Sequence, residues 1–70
     1  MKSAWRVSVY YGRVGVPAQM FLVVASDEDE VLDKINSRLL TDEYHQKQVH
    51  AYPDKRMRLS IELLLEEVLD

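Results

Sequence analysis

The hydrophobic pattern of this chain changes period at Ser26, and that change constrains the fold more than any other feature. Before Ser26, apolar residues form two short runs of the kind found in β-strands. From Val31 to Leu40 they recur every three or four residues, as on the buried side of an α-helix. An acidic block, Asp27-Glu28-Asp29-Glu30, stands between the two patterns and is typical of a helix start. We therefore expect two strands followed by a helix.

The two runs before Ser26 differ in how they alternate. From Trp5 to Tyr11, apolar and aromatic residues occupy every second position, which predicts a half-buried strand. Residues 12–17 follow with two glycines and a proline, so a turn is expected there. Gln19 to Ala25 is apolar on both faces, which is typical of a strand in the centre of a sheet. Together they predict a hairpin with a loop of about six residues.

The helix is predicted over residues 27–40, with Ser26 or Asp27 as its N-cap. Glu30 and Lys34 stand four residues apart in the order that favours an ion pair on a helix. One apolar stripe is expected to face the sheet; it consists of Val31, Leu32, Ile35, Leu39 and Leu40.

The signal weakens after the helix. Residues 41–48 fit a loop or a short helical turn capped by Thr41, and Val49–Tyr52 fits a short strand. Residues 54–69 fit both a strand and a helix. A helix there would place basic side chains at its positive end and acidic side chains at its negative end, which is unfavourable. We therefore expect a strand over about residues 55–61 and a short C-terminal helix after it.

These elements predict a single small α+β domain over residues 1–70. The expected architecture is an antiparallel sheet of three or four strands, ββαβ or ββαββ, with one helix packed on one face. A chain of 70 residues builds a small core, and without cysteine no disulfide supports it. A second copy of the chain would add buried surface, so a homo-oligomer is one expectation.

Several chemistries find no support in the sequence. His45 and His50 are five residues apart, and no cysteine accompanies them, so no metal site is expected. A calcium loop counted from Asp27 would place Leu32 where glycine is required. No nucleophile motif, phosphate loop or dinucleotide fingerprint is present, so neither an enzyme nor a cofactor is expected. The longest apolar run, Met20 to Ala25, is too short to span a bilayer, and we expect a cytoplasmic protein without a membrane partner.

The charges are sorted along the chain, and this sorting predicts two surfaces for a partner. The first is the sheet face opposite the helix, where arginine and tyrosine would interleave. Its expected residues are Arg6, Ser8, Tyr10, His50, Tyr52, Arg56 and Arg58. The second is the hairpin loop, where Arg13, Val14 and Val16 stand between glycine and proline; the two valines either project or fold back on the core.

The order of hairpin, acidic helix start and strand resembles that of very small phage-encoded inhibitors of bacterial enzymes, including some that dock on RNA polymerase. The resemblance covers residues 4–52 and rests on the first strand at Trp5, the ending Val24-Ala25-Ser26 of the second, and the acidic helix. No diagnostic motif is shared, so no functional residue is carried over. The resemblance implies a host-protein partner and no catalysis.

Three functions follow from these features. The first is a non-enzymatic protein-binding module, a small regulator or inhibitor that docks on a larger protein and occludes it, while the acidic helix repels or mimics nucleic acid. The second is single-stranded nucleic-acid binding through the basic and aromatic sheet face, although a net charge of −3 argues against a general binder. The third is a structural homo-oligomer joined through the apolar C-terminal segment. An outer face that is merely solvated is the remaining interpretation.

Overall fold

The structure, a computed structural model, describes residues 1–13, 15–51 and 57–69 of the chain. These residues form, in order, strand β1 (Ser3–Tyr11), strand β2 (Gln19–Ala25), helix α1 (Glu28–Leu40), helix α2 (Glu43–Ala51) and strand β3 (Met57–Leu65). The three strands form one antiparallel sheet in the order β2-β1-β3. The predicted α+β class with a small antiparallel sheet is confirmed.

The positions of the first two strands within the sheet differ from the prediction. β2 has the predicted bounds, but it is an edge strand, and β1 is the central one. The second apolar face of β2 is not buried, since Met20 and Leu22 are 54% and 72% exposed. Apolar side chains on both faces predict burial on both sides, but both described helices pack on the same side of this sheet. Gly12, which opens the hairpin loop, has φ 61°, a left-handed conformation that favours glycine.

α1 forms as predicted because its start is capped and one side is buried. The Asp27 carboxylate accepts a hydrogen bond from the Glu30 N–H at 2.9 Å, and three acidic residues occupy the first turn. Leu40, which the sequence assigns to the buried stripe, is 77% exposed and does not belong to it. The core comprises Val7, Val23, Ala25, Val31, Ile35 and Leu39, with Trp5, Phe21, Leu59 and Ile61 packed against it.

α2 occupies the region for which the sequence left open a loop or a short helical turn over residues 41–48 and predicted a short strand over Val49–Tyr52. The structure agrees with the helical alternative, and the strand is wrong for residues 49–51. The Asp42 carboxylate accepts a hydrogen bond from the His45 N–H at 3.2 Å and so caps α2. Thr41, the expected cap, instead ends α1 through its N–H and hydroxyl bonds to the Arg38 carbonyl. The alternation after Val49 is too short to distinguish a strand from a last helical turn. Tyr52 lies outside the described residues.

β3 continues through Leu65, so the C-terminal helix predicted after about residue 61 is wrong. Its partner is β1, in a register from Tyr11 opposite Met57 to Ala4 opposite Leu65. The register skips Leu64, which forms a β-bulge and takes up one of three consecutive leucines. Residues 66–69 are not helical, and the Val68 N–H donates a hydrogen bond to the Lys2 carbonyl at 2.7 Å.

Candidate functional site

The sheet has one face that no described element covers. α1 packs on the other face through the core, and the rings of Tyr44 and His45 in α2 contact Tyr11 on that same side. Residues directly opposite on paired strands share a face, so the register identifies the uncovered side, which we call the outer face. It presents Arg6, Ser8 and Tyr10 from β1, Met20, Leu22 and Val24 from β2, and Arg58, Ser60 and Glu62 from β3.

The β2 side of the outer face is apolar. Met20, Leu22 and Val24 form a row along it and are 54%, 72% and 37% exposed. We call these three residues the apolar row. Scattered exposed leucines are common on soluble proteins, but a contiguous apolar strip beside polar groups is typical of an interaction site.

The β1 and β3 side of the outer face is charged, and its charges are paired. Arg6 forms an ion pair with Glu62 across the two strands. The guanidinium of Arg58 lies 5.0 Å from the centre of the Tyr10 ring, in a cation–π contact. Both contacts are solvent-exposed, so each contributes about 1 kcal/mol or less to folding. Their larger effect is to hold Arg6, Tyr10 and Arg58 in defined positions on the outer face, with Arg6 directly beside Leu22 of the apolar row.

A groove runs along the edge of the sheet between β2 and α1. Its volume is about 270 Å³, and its lining includes Leu22 and Val24 of the apolar row together with Lys34 and Arg38 of α1. The Lys34 ammonium donates a hydrogen bond to the Val24 carbonyl at 2.6 Å, in place of the predicted pairing with Glu30. Because α1 covers this edge and its Lys34 occupies the Val24 carbonyl, the edge offers side-chain contacts rather than main-chain ones.

Glu30 instead joins the start of α1 to the start of β1. Its carboxylate accepts a hydrogen bond from the Lys2 ammonium at 2.8 Å and another from the Ser26 N–H at 2.7 Å. These contacts, the Lys2 hydrogen bond foremost, lower the pKa of Glu30 below its ordinary value. The acidic block is thus part of the helix start and its attachment to the sheet.

Tyr11 connects the sheet to α2 in the most buried polar cluster among the described residues. Its hydroxyl oxygen lies 2.7 Å from His45 Nδ1 and accepts a hydrogen bond from Gln19 Nε2 at 3.1 Å. Burial raises the pKa of Tyr11 above its ordinary value. Since Tyr11 is 5% exposed, we assign this cluster to the docking of α2 on the sheet.

The structure gathers some of the predicted site residues and separates others. Arg6, Tyr10 and Arg58 share the outer face as expected. His50 does not, because it lies on an exposed position of helix α2 rather than on a strand. The hairpin loop keeps Arg13 exposed, and Val16 projects with 67% of its surface exposed instead of folding back. The remaining predicted residues, Val14, Tyr52 and Arg56, lie outside the described residues.

Sequence reasoning missed the apolar row, although its signal was present. The second apolar face of Gln19–Ala25 led to the interpretation that this strand is buried on both sides. The same pattern also fits an edge strand with one apolar face exposed for binding. Glu62 was missed as well, because its pairing with Arg6 joins positions 56 residues apart. With Glu62 included, the outer face is less basic than the sequence predicts.

Two classes of site find no geometric support in the described part of the chain. No group of three or more metal-binding side chains is close enough to hold an ion. Neither helix is long and apolar enough to cross a membrane. In comparisons with known proteins, no family model matches the chain, and neither the curated proteins nor the solved structures give a match.

Proposed function

We propose that the protein is a non-enzymatic protein-binding module that docks on a larger protein through its outer face and acts by occluding it. The observation that carries the proposal is the apolar row on an uncovered sheet face, with Leu22 72% exposed. Burial of an exposed leucine is worth about 1.5–3 kcal/mol when a partner covers it. Arg6, Tyr10 and Arg58 share the outer face with the row, and arginine and tyrosine are the side chains that often dominate binding energy at protein interfaces.

The charge pattern favours a protein partner over a nucleic acid. A phosphate backbone would have to compete with Glu62 for Arg6, since the two are already paired. A base would have to compete with the Arg58 guanidinium for the Tyr10 ring. The aliphatic side chains of the apolar row give no hydrogen bond to a base or phosphate, but they fit an apolar patch on a protein. Single-stranded nucleic acid is the alternative, because arginine and tyrosine on one sheet face are also the side chains that single-strand binders use.

A matched pair of variants tests the proposal. Leu22→Glu places a charge in the apolar row, whereas Leu40→Glu makes the same change at an equally exposed leucine on α1, away from the outer face. Both should fold, because exposed positions tolerate substitution within about 0.5 kcal/mol. Immobilised wild-type protein and Leu40→Glu should retain the same partner from source-cell lysate, and Leu22→Glu should lose it.

The proposal fails if Leu22→Glu retains the partner as well as Leu40→Glu does. The nucleic-acid alternative is tested in parallel by fluorescence polarisation with labelled single-stranded RNA and DNA at low and physiological salt. Saturable binding that weakens with salt and disappears in Arg58→Ala would favour that alternative.

A further inference from the structure

β3 is the least covered element of the sheet. Six of its nine residues are apolar, yet none of the nine is fully buried. Leu63 and Leu65 are 45% and 57% exposed. The cause is the position of α1, which packs against β2 at the opposite edge. A strand this apolar and this exposed at a sheet edge is a template for pairing with another strand.

The main chain of β3 is oriented for such pairing. The Val9 carbonyl of β1 accepts a hydrogen bond from the Ala18 N–H, on the β2 side. Successive residues of a strand direct their main-chain groups to alternate sides, so Arg6, Ser8 and Tyr10 direct theirs to β3. The β3 residues opposite them are therefore bonded inward, and the residues between them, Leu59 and Ile61 among others, direct their N–H and C=O groups away from the sheet.

We propose that two copies of this chain pair their β3 strands antiparallel about a two-fold axis at Ser60, which yields one six-stranded sheet. In this register Arg58 of each copy lies opposite Glu62 of the other on the outer face. On the helix side, Leu59 lies opposite Ile61 and Met57 opposite Leu63. The strand is thus complementary to itself in both charge and apolarity, as a two-fold interface requires.

The charges select this register from its neighbours. Moving the axis by one residue, to Leu59 or Ile61, places Arg58 or Glu62 opposite Ser60 and removes the attraction. Moving it by two residues, to Arg58 or Glu62, places like charges opposite each other. An axis midway between two residues would set outer-face side chains opposite helix-side ones and is excluded by the pleat.

The pairing also extends contacts that already exist within one chain. Glu62 is held by Arg6 of its own chain and would receive Arg58 of the second copy on its other side. Arg58 can keep its cation–π contact with Tyr10 in this arrangement, because a guanidinium has five N–H donors and can contact a ring and a carboxylate together. About eight main-chain hydrogen bonds form between the two β3 strands in this register.

The inference is tested by the mass of the protein in solution, measured by sedimentation over concentrations from about 1 μM to 1 mM. The wild-type chain should dimerise in this range. Arg58→Glu and Glu62→Arg each place two like-charge pairs in the dimer, so each should raise the dissociation constant on the order of tenfold or more. An equimolar mixture of the two variants restores opposite charges at both pairs and should recover dimers of wild-type affinity.

Several outcomes would overturn the inference. A wild-type chain that stays monomeric at 1 mM would do so, as would single variants that dimerise like the wild type or a mixture that does not recover. Circular dichroism of each variant shows whether it is folded, and recovery in the mixture cannot arise from unfolded chains. Leu22→Glu lies at the far edge of the sheet and should dimerise normally. Its loss of the protein partner is therefore measured separately from dimerisation.

Discussion

The packing of α1 on the sheet allows a quantitative prediction, because the helix carries one large aliphatic residue that is buried and another that is exposed. Ile35 is 2% exposed and lies in the core, whereas Leu40 on the same helix is 77% exposed. Replacing each by alanine removes a similar side chain from opposite environments. The difference between the two variants therefore measures the contribution of the α1 and sheet contact itself.

The expected magnitudes are far apart. Ile35→Ala should cost about 2–5 kcal/mol through lost burial and the cavity left behind, less up to about 0.7 kcal/mol because alanine favours the helix. The net loss is about 2–4 kcal/mol, out of a total stability of about 4–10 kcal/mol for a domain of 70 residues. Leu40→Ala should change stability by no more than about 0.5 kcal/mol.

Urea unfolding followed by tryptophan fluorescence gives the measurement. Trp5, the one tryptophan of the chain, donates its indole N–H to the Ala25 carbonyl at 3.1 Å and packs against the core. If the free energy of unfolding falls by about 1 kcal/mol per M of urea, Ile35→Ala should lower the urea concentration at the unfolding midpoint by about 2–4 M. All variants are compared at one protein concentration, since dimerisation would add to apparent stability. Equal midpoints for Ile35→Ala and Leu40→Ala would refute the placement of α1 on the sheet.

Three further predictions concern polar contacts of the fold. The pKa of Glu30 is lowered in the folded state, so the stability that Glu30 contributes is present above the unfolded-state pKa and is lost as pH falls through the folded-state pKa. Glu30→Gln should therefore reduce the loss of urea-measured stability on the acid side. The pKa of Tyr11 is raised in the folded state, so the stability that Tyr11 contributes is present below the unfolded-state pKa near 10 and is lost as pH rises through the folded-state pKa. Tyr11→Phe should therefore reduce the loss of stability on the alkaline side. Asp42→Ala removes the α2 cap and should cost about 1 kcal/mol, whereas Asp42→Asn should retain most of it.

The first half of the fold could be predicted from the sequence because its signals are local. The alternation after Trp5 and the capping position of Asp27 each involve residues within one element, and both elements form where they were predicted. The order of the strands, in contrast, depends on a contact between distant parts of the chain. β1 lies in the centre because β3, nearly fifty residues later in the chain, pairs with its second edge. No local pattern in β1 or β2 contains that information.

The site residues that could be predicted are likewise those whose signal is local. Arg6 and Tyr10 follow directly from the period of β1, and Arg58 follows once residues 57–61 form a strand. His50 was misplaced because a four-residue alternation is compatible with a helix end. Glu62 was missed as a site residue, since the helical interpretation of the C-terminal segment removed it from the sheet. The charge balance of the outer face therefore depends on a pairing that only the three-dimensional structure shows.

The two proposals reinforce each other through the geometry of the sheet. The β3 edges meet at the two-fold axis, so the two apolar rows lie at the far edges of the six-stranded sheet, each next to its own groove along α1. Dimerisation thus leaves both apolar rows exposed and brings the charged side chains of the two copies together at the centre of one continuous outer face. A partner with matching two-fold symmetry would contact both rows at once, and its second contact would form at the high effective concentration set by the rigid sheet. Binding of such a partner should therefore weaken in Glu62→Arg, which disrupts the dimer but alters neither the apolar row nor Arg6, Tyr10 or Arg58.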